Sequence, residues 1–164
     1  VALDARLGYV GLGISHFSRP QVGETRMALV RITVSGIAFE ARFEAAAPLT
    51  TAAFRSIMPF RRQLIQARWS GEAAWIPLGD MHIGVDLENA TSYPSRGDIL
   101  FHPAGTSEAE ILFAYGSCRF ASKVGELAGN HFLTITRGLE LLPALGHKVL
   151  WEGAQPVEFV ELAV

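Results

Sequence analysis

The chain has one cysteine in 164 residues, Cys118, so an internal disulfide is excluded. A lone thiol suits a reducing compartment, and the cytoplasm is the expected location. Charged residues make up only 18% and nearly cancel, leaving a net charge of -2. No face reads as basic, so nucleic acid is not an expected partner. No apolar run approaches the ~20 residues needed to cross a bilayer, so no membrane span is expected. Asp4, Arg6 and several glycines interrupt the stretch from Val1 to Phe17, and no basic segment precedes it, so it does not read as a signal peptide. His82, His102, His131 and His147 are scattered without zinc-type spacing. Gly8–Gly13 lacks the strand-turn-helix setting of a nucleotide loop. Neither a metal nor another cofactor is expected.

What remains is a chain that is 49% hydrophobic, with internal repeats and low-complexity tracts absent. Its length suits one domain with a sizeable core. Residues 1–26 are Gly-rich and weakly patterned, and read as an N-terminal extension, either a peripheral strand or disordered. Residues 27–164 read as the folded domain. There, Val30–Val34 and Ile37–Phe43 flank Ser35-Gly36, a hairpin signal. Phe39, Ala41 and Phe43 alternate with Glu40, Arg42 and Glu44, which gives that strand one buried face. A helix is expected from Pro48 to about Met58, opened by Pro48 and ended before Pro59. Further strands are expected at 63–69, 73–76, 98–102, 110–115, 131–136 and 157–162. Pro77-Leu78-Gly79-Asp80 reads as a turn and 84–97 as a loop. A second helix is expected over 139–150, bent at Pro143 or Gly146. Many short strands and only two helices predict a mainly β chain. The expected form is a closed antiparallel β-barrel with helices over its ends, not a parallel α/β fold.

This order of elements is similar to that of the cyclophilins. Ala47-Pro48-Leu49-Thr50-Thr51-Ala52-Ala53-Phe54-Arg55 resembles their first helix. The segment from Arg68 to Gly79-Asp80 resembles the one that carries their catalytic arginine. Gly129-Asn130-His131 resembles the segment that carries their active-site histidine. A bacterial family of uncharacterised proteins with a cyclophilin-like fold is a closer match. It has stretches similar to 67–73, 88–94, 120–123, 128–132 and 150–154, and the chain is identified as a member.

The resemblance implies Arg68 and His131 as candidate catalytic residues. An arginine beside a prolyl amide can stabilise its nitrogen, and a neutral imidazole can bind a carbonyl or move a proton. Each also has a bland reading, a surface ion pair for Arg68 and a strand-start hydrogen bond for His131. Glu72 is a further candidate, as a general base. Cyclophilins place a tryptophan five residues before the histidine, where this chain has Glu126. That exchange removes apolar surface from a proline pocket and adds a charge that resists burial. Trp69, Trp75, Asn89, Tyr93, Tyr115, Arg119 and Glu126 are candidate ligand-binding residues that could converge on one barrel face. Arginines recognise carboxylates through paired donors, and aromatics supply flat walls. Cys118 beside Arg119 is a candidate for a lowered thiol pKa.

The leading expectation is a pocket that binds or transforms a small polar metabolite bearing a carboxylate or amide, placed where cyclophilins hold proline. A divergent prolyl isomerase or peptide-binding module is one alternative. A non-catalytic assembly protein is another. A homo-oligomer is open, through a barrel edge or through residues 1–26.

Overall fold

A computed structural model describes residues 28–163. The N-terminal extension expected at 1–26 lies outside them. The strands are β1 Leu29–Val34, β2 Ile37–Phe43, β3 Phe60–Gln66, β4 Gly71–Gly79, β5 Ala90–Thr91, β6 Asp98–His102, β7 Ala109–Cys118, β8 Ala121–Ser122, β9 Gly125–Glu126, β10 Gly129–Arg137 and β11 Gln155–Leu162. The helices are α1 Pro48–Ser56 and α2 Leu142–Trp151, the latter entered through a 3-10 turn at Leu139–Leu141.

The hairpin between β1 and β2 turns on Ser35 and Gly36, both at positive φ (45° and 85°), as a two-residue turn of this hand requires. From there the sheet runs β2-β1-β11-β3-β4-β7-β6-β10, and β10 pairs back onto β2. These eight strands close an antiparallel barrel, so the ladder has no free edge among them. The short β5 pairs with Gly129 and Asn130 at the start of β10.

Alternation sends one side chain of each pair inward. Val30, Ile32, Val34, Phe39, Ala41, Ile76, Ile99, Phe101, Ile111, Phe113 and Phe159 fill the interior. The helices stop the two ends. Phe54 of α1 sits among Phe60, Phe132 and Phe159 with ring centroids 5.0–5.4 Å apart. From α2, Leu142, Leu145 and Val149 are buried. Pro143 lies in the first turn of α2, where a missing N–H costs nothing, so it opens the helix and does not bend it.

Several strand boundaries differ from the sequence expectation, and short strands stand at 90–91, inside the expected loop, and at 121–122 and 125–126, where none was expected. The two largest differences lie around β4. The third strand spans 60–66, and Ala67–Ser70 form the turn into β4, closed by Ser70 N–H donating to the Ala67 carbonyl at 3.0 Å. Pro77 lies inside β4, not in a turn. The β3–β4 ladder has only the pairs Ile65↔Trp75 and Gln66↔Ala74, so Pro77 has no β3 neighbour that needs an N–H.

The wall formed by β4, β7 and β6 is apolar on both faces. Outside the barrel, Ala73, Leu100 and Leu112 form a second core with Ala67, Phe120 and Leu127. The cover is a small hairpin, β8 and β9, joined by Lys123-Val124. Burial on both faces explains why Ile99-Leu100-Phe101 and Ile111-Leu112-Phe113 are unbroken apolar runs.

Candidate functional site

Ser70 holds the outer hairpin down. It is buried, its Oγ donates to the Ala121 carbonyl (2.9 Å), and the Ala121 N–H donates back to it (3.2 Å). The Arg119 N–H donates to the Ser70 carbonyl, and the Phe120 N–H to the Ser92 carbonyl. Gly129 lets this cover sit close, because a Cβ there would meet the Phe120 ring at 2.8 Å and the Leu100 Cβ at 2.9 Å.

A cleft of about 350 Å3 lies between this hairpin, the β3–β4 turn and the β6–β7 loop. Arg68, Trp69 and Trp75 line one side, Lys123 and Ser122 the other, and Glu110 and Leu112 the floor. Arg68 and Trp69 are exposed, and Trp75 is half-buried. Among the described residues neither Arg68 nor Lys123 makes an ion pair.

Glu110 is only 6% exposed, and its Oε1 has no hydrogen-bond partner. Burial, with the nearby charge of Glu108 adding to it, pushes its carboxyl up to about 7. Directly across the β6–β7 ladder stands His102, also 6% exposed. Its Nδ1 lies 2.8 Å from the Ala128 carbonyl, which can only accept, so Nδ1 carries the hydrogen. In the neutral ring Nε2 is then a bare acceptor, and it too has no partner. The sequence offered His102 only as one of several scattered histidines and Glu110 only as the first residue of an expected strand. An acid amid the apolar Ala109-Glu110-Ile111-Leu112 run was the available signal.

The remaining candidates occupy three other places. His131 faces outward from β10 in register with Leu100, which continues through Leu112 to Trp75. Three inter-strand steps put it ~14 Å from Trp75, and it does not line the cleft. Its Nε2 is 2.8 Å from Thr134 Oγ1 and 3.3 Å from Asp98 Oδ1, while Thr134 donates to Glu44 at 2.6 Å. The hydrogen bond to Asp98 raises the His131 pKa, helped by the charges of Asp98 and Glu44; burial and Arg42 oppose. Asn89 donates its Nδ2–H to the His131 carbonyl (2.8 Å) and accepts the His131 N–H on its own carbonyl (3.1 Å). It therefore ties a loop to β10.

Tyr93, Arg119 and Glu126 come together in one exposed clamp. Tyr93 donates to Glu126 Oε2 at 3.1 Å, and Arg119 Nε lies 3.1 Å from the same oxygen. Glu72 and Tyr115 lie on a wider surface hollow beside α2. Glu72 accepts the Ser117 N–H at 2.7 Å, while Tyr115 is buried and donates to Gln66 Oε1 at 2.7 Å. Cys118 lines the same hollow, and burial pushes its thiol up to about 11, opposite to the lowering expected beside Arg119.

Among solved structures, McbB in complex with tryptophan has a similar fold, with a TM-score of 0.63 at 15% identity. The match covers 82% of this chain and 46% of McbB, so the chain spans less than half of that protein. At this identity the likeness speaks to fold alone. No curated protein matches the chain in sequence. The family described as "Protein of unknown function (DUF3830)" matches residues 30–161, and the chain belongs to it.

Proposed function

We propose that the chain is a cyclophilin-like protein of the bacterial cytoplasm that binds or transforms a small polar metabolite, one bearing a carboxylate or amide. The cleft beside Arg68 is its site. The carrying observation is the pairing of two unengaged cations, Arg68 and Lys123, with two tryptophans around a volume of about 350 Å3. A guanidinium offers a carboxylate two parallel donors, and indole walls hold the apolar part of a small ligand. McbB, of which 46% matches this chain in fold, is in complex with tryptophan, a ligand of this class. The single thiol favours a reducing compartment, and no described helix is long and apolar enough to cross a membrane.

The test is a panel of carboxylates, amides and proline peptides, read by thermal shift and then by calorimetry. Trp69 and Trp75 also give a fluorescence signal at the cleft. A charge-assisted hydrogen bond contributes about 1.5–3 kcal/mol, so Arg68→Ala should weaken binding by at least about tenfold. Arg68 is exposed, so the same variant should melt within about 0.5 kcal/mol of the parent. Equal affinity of parent and variant would remove the reading. Turnover of a proline peptide that Arg68→Ala abolishes would replace it with the isomerase reading.

A further inference from the structure

Buried polar atoms are nearly always partnered, and native folds keep few exceptions. Among the described residues three buried side-chain atoms lack a partner, namely Thr51 Oγ1, His102 Nε2 and Glu110 Oε1. Two of the three stand on one rung of the β6–β7 ladder. Facing residues on such a rung have Cβ atoms about 5 Å apart. Yet the two side chains do not bond to each other, and neither Glu110 Oε1 nor His102 Nε2 finds another protein group. Glu110 reaches the floor of the cleft, and His102 lies behind it against the edge of the Phe120 ring (centroids 6.0 Å apart). A purely structural role would call for partners, or for apolar residues like their neighbours Leu100 and Leu112. Instead a carboxyl with an unsatisfied oxygen lines a cleft that cations and indoles also line, and an unsatisfied histidine nitrogen stands on the rung beside it.

We infer that Glu110 is the proton-exchanging group of this cleft, giving its carboxylic hydrogen to an acceptor on the bound ligand and taking one back when the ligand leaves or reacts. The inference rests on the cleft being a ligand site, and it adds a requirement on the ligand. Besides an anionic or amide end for Arg68 and Lys123, the ligand presents a hydrogen-bond acceptor or a basic atom to the floor. Its proton comes from Glu110, and the carboxylate left behind is held by the positive charges at the cleft. The charged and titratable groups around Glu110 are Glu108 on the β6–β7 loop, His102 on β6, Arg68 on the β3–β4 turn and Lys123 on the outer hairpin. Glu108 and burial favour the protonated form, consistent with a carboxyl pushed up to about 7. Such a group is half acid and half base at neutral pH, the condition for moving a proton in either direction.

The test needs no metabolite. Dicyclohexylcarbodiimide is apolar and attacks only protonated carboxylic acids. The acid passes its proton to a carbodiimide nitrogen, its oxygen bonds to the central carbon, and acyl migration leaves a stable N-acylurea on the side chain. The full chain is treated at pH 7 and mapped by mass spectrometry. With the carboxyl at about 7 against an ordinary 4.5, the protonated fraction of Glu110 exceeds that of an ordinary glutamate by roughly a hundredfold. Selective labelling of Glu110 is therefore expected, nearly level between pH 5 and 6 and falling about tenfold by pH 8. Glu110→Gln should lose the label. Labelling of Glu108 at least as strong as that of Glu110, or no label on Glu110, overturns the inference. A metabolite panel that finds no ligand while Glu110 still labels would instead count against the binding reading.

Discussion

Asn130 offers the sharpest test of how the Gly129-Asn130-His131 segment divides its labour. Asn130 is wholly buried. Its Nδ2 donates to Thr50 Oγ1 (2.9 Å) and to the Asp86 carbonyl (2.8 Å), and its Oδ1 accepts the Glu88 N–H (2.9 Å). One side chain thus ties β10 to the first turn of α1 and to the loop before β5. Asn130→Ala removes all three bonds at once. A buried group left without a partner costs about 1–3 kcal/mol. Thr50 is fully buried, whereas Asp86 is exposed and Glu88 partly so, and water can satisfy those two in part. The expected loss is therefore ~3 kcal/mol, below the simple sum. With a urea slope of ~2 kcal/mol/M, the unfolding midpoint should fall by ~1.5 M. Amide exchange should also speed up across 84–91. Asn130→Asp, which loses both donors and sets a carboxylate in a fully buried site against the Asp86 carbonyl, should cost at least as much at neutral pH. A midpoint within ~0.3 M of the parent would show that this network does not anchor the loop.

Two further outcomes follow from the same wall of the barrel. The His131 pKa is raised, chiefly by the bond to Asp98, so its contribution to stability is complete below the unfolded value near 6.5 and fades as pH rises through the higher folded value. Urea melts at pH 6 and pH 8.5 should show that loss, and Asp98→Asn should flatten it; a parent protein equally stable at both would discount the pair. Ser70→Ala breaks both bonds to Ala121, and should cost about 1–2 kcal/mol while speeding amide exchange from Phe120 to Leu127. Unchanged exchange there would mean that Phe120 and Leu127 hold the hairpin without Ser70.

The parts of the fold written in local pattern were legible. Ser35-Gly36 with its alternating flanks became the hairpin, Pro48 opened α1, and the count of strands and helices led to a closed barrel. Errors arose where tertiary context decides. Phe60-Arg61-Arg62-Gln63 reads as polar chain, yet Phe60 packs inward while Arg61 points out to pair with Glu158. Pro77 reads as a turn, yet an unpartnered flank of β4 accepts it. Pro143 reads as a bend until the preceding 3-10 turn places it at the helix start.

The candidate site was legible only in part, for a related reason. Arg68 came from the cyclophilin resemblance, and Trp69 and Trp75, candidate ligand-binding residues, stand close to it around one turn. His131 shares their sheet face, but the outer hairpin lies over the rungs between, so a shared face did not become a shared cleft. Glu126 was read as a charge brought into a pocket; on the edge of that hairpin it closes a clamp with Tyr93 and Arg119 instead. The Glu110–His102 rung was invisible for a deeper reason. Which residues of β6 and β7 stand opposite is set by register across the Pro103–Glu108 connection, not by spacing. A cross-strand pair of polar residues becomes notable only when register, burial and missing partners are known together. Of that rung, Glu110 lines the cleft together with Arg68, Trp69 and Trp75, and a buried carboxyl beside those side chains gives the cleft its chemical interest.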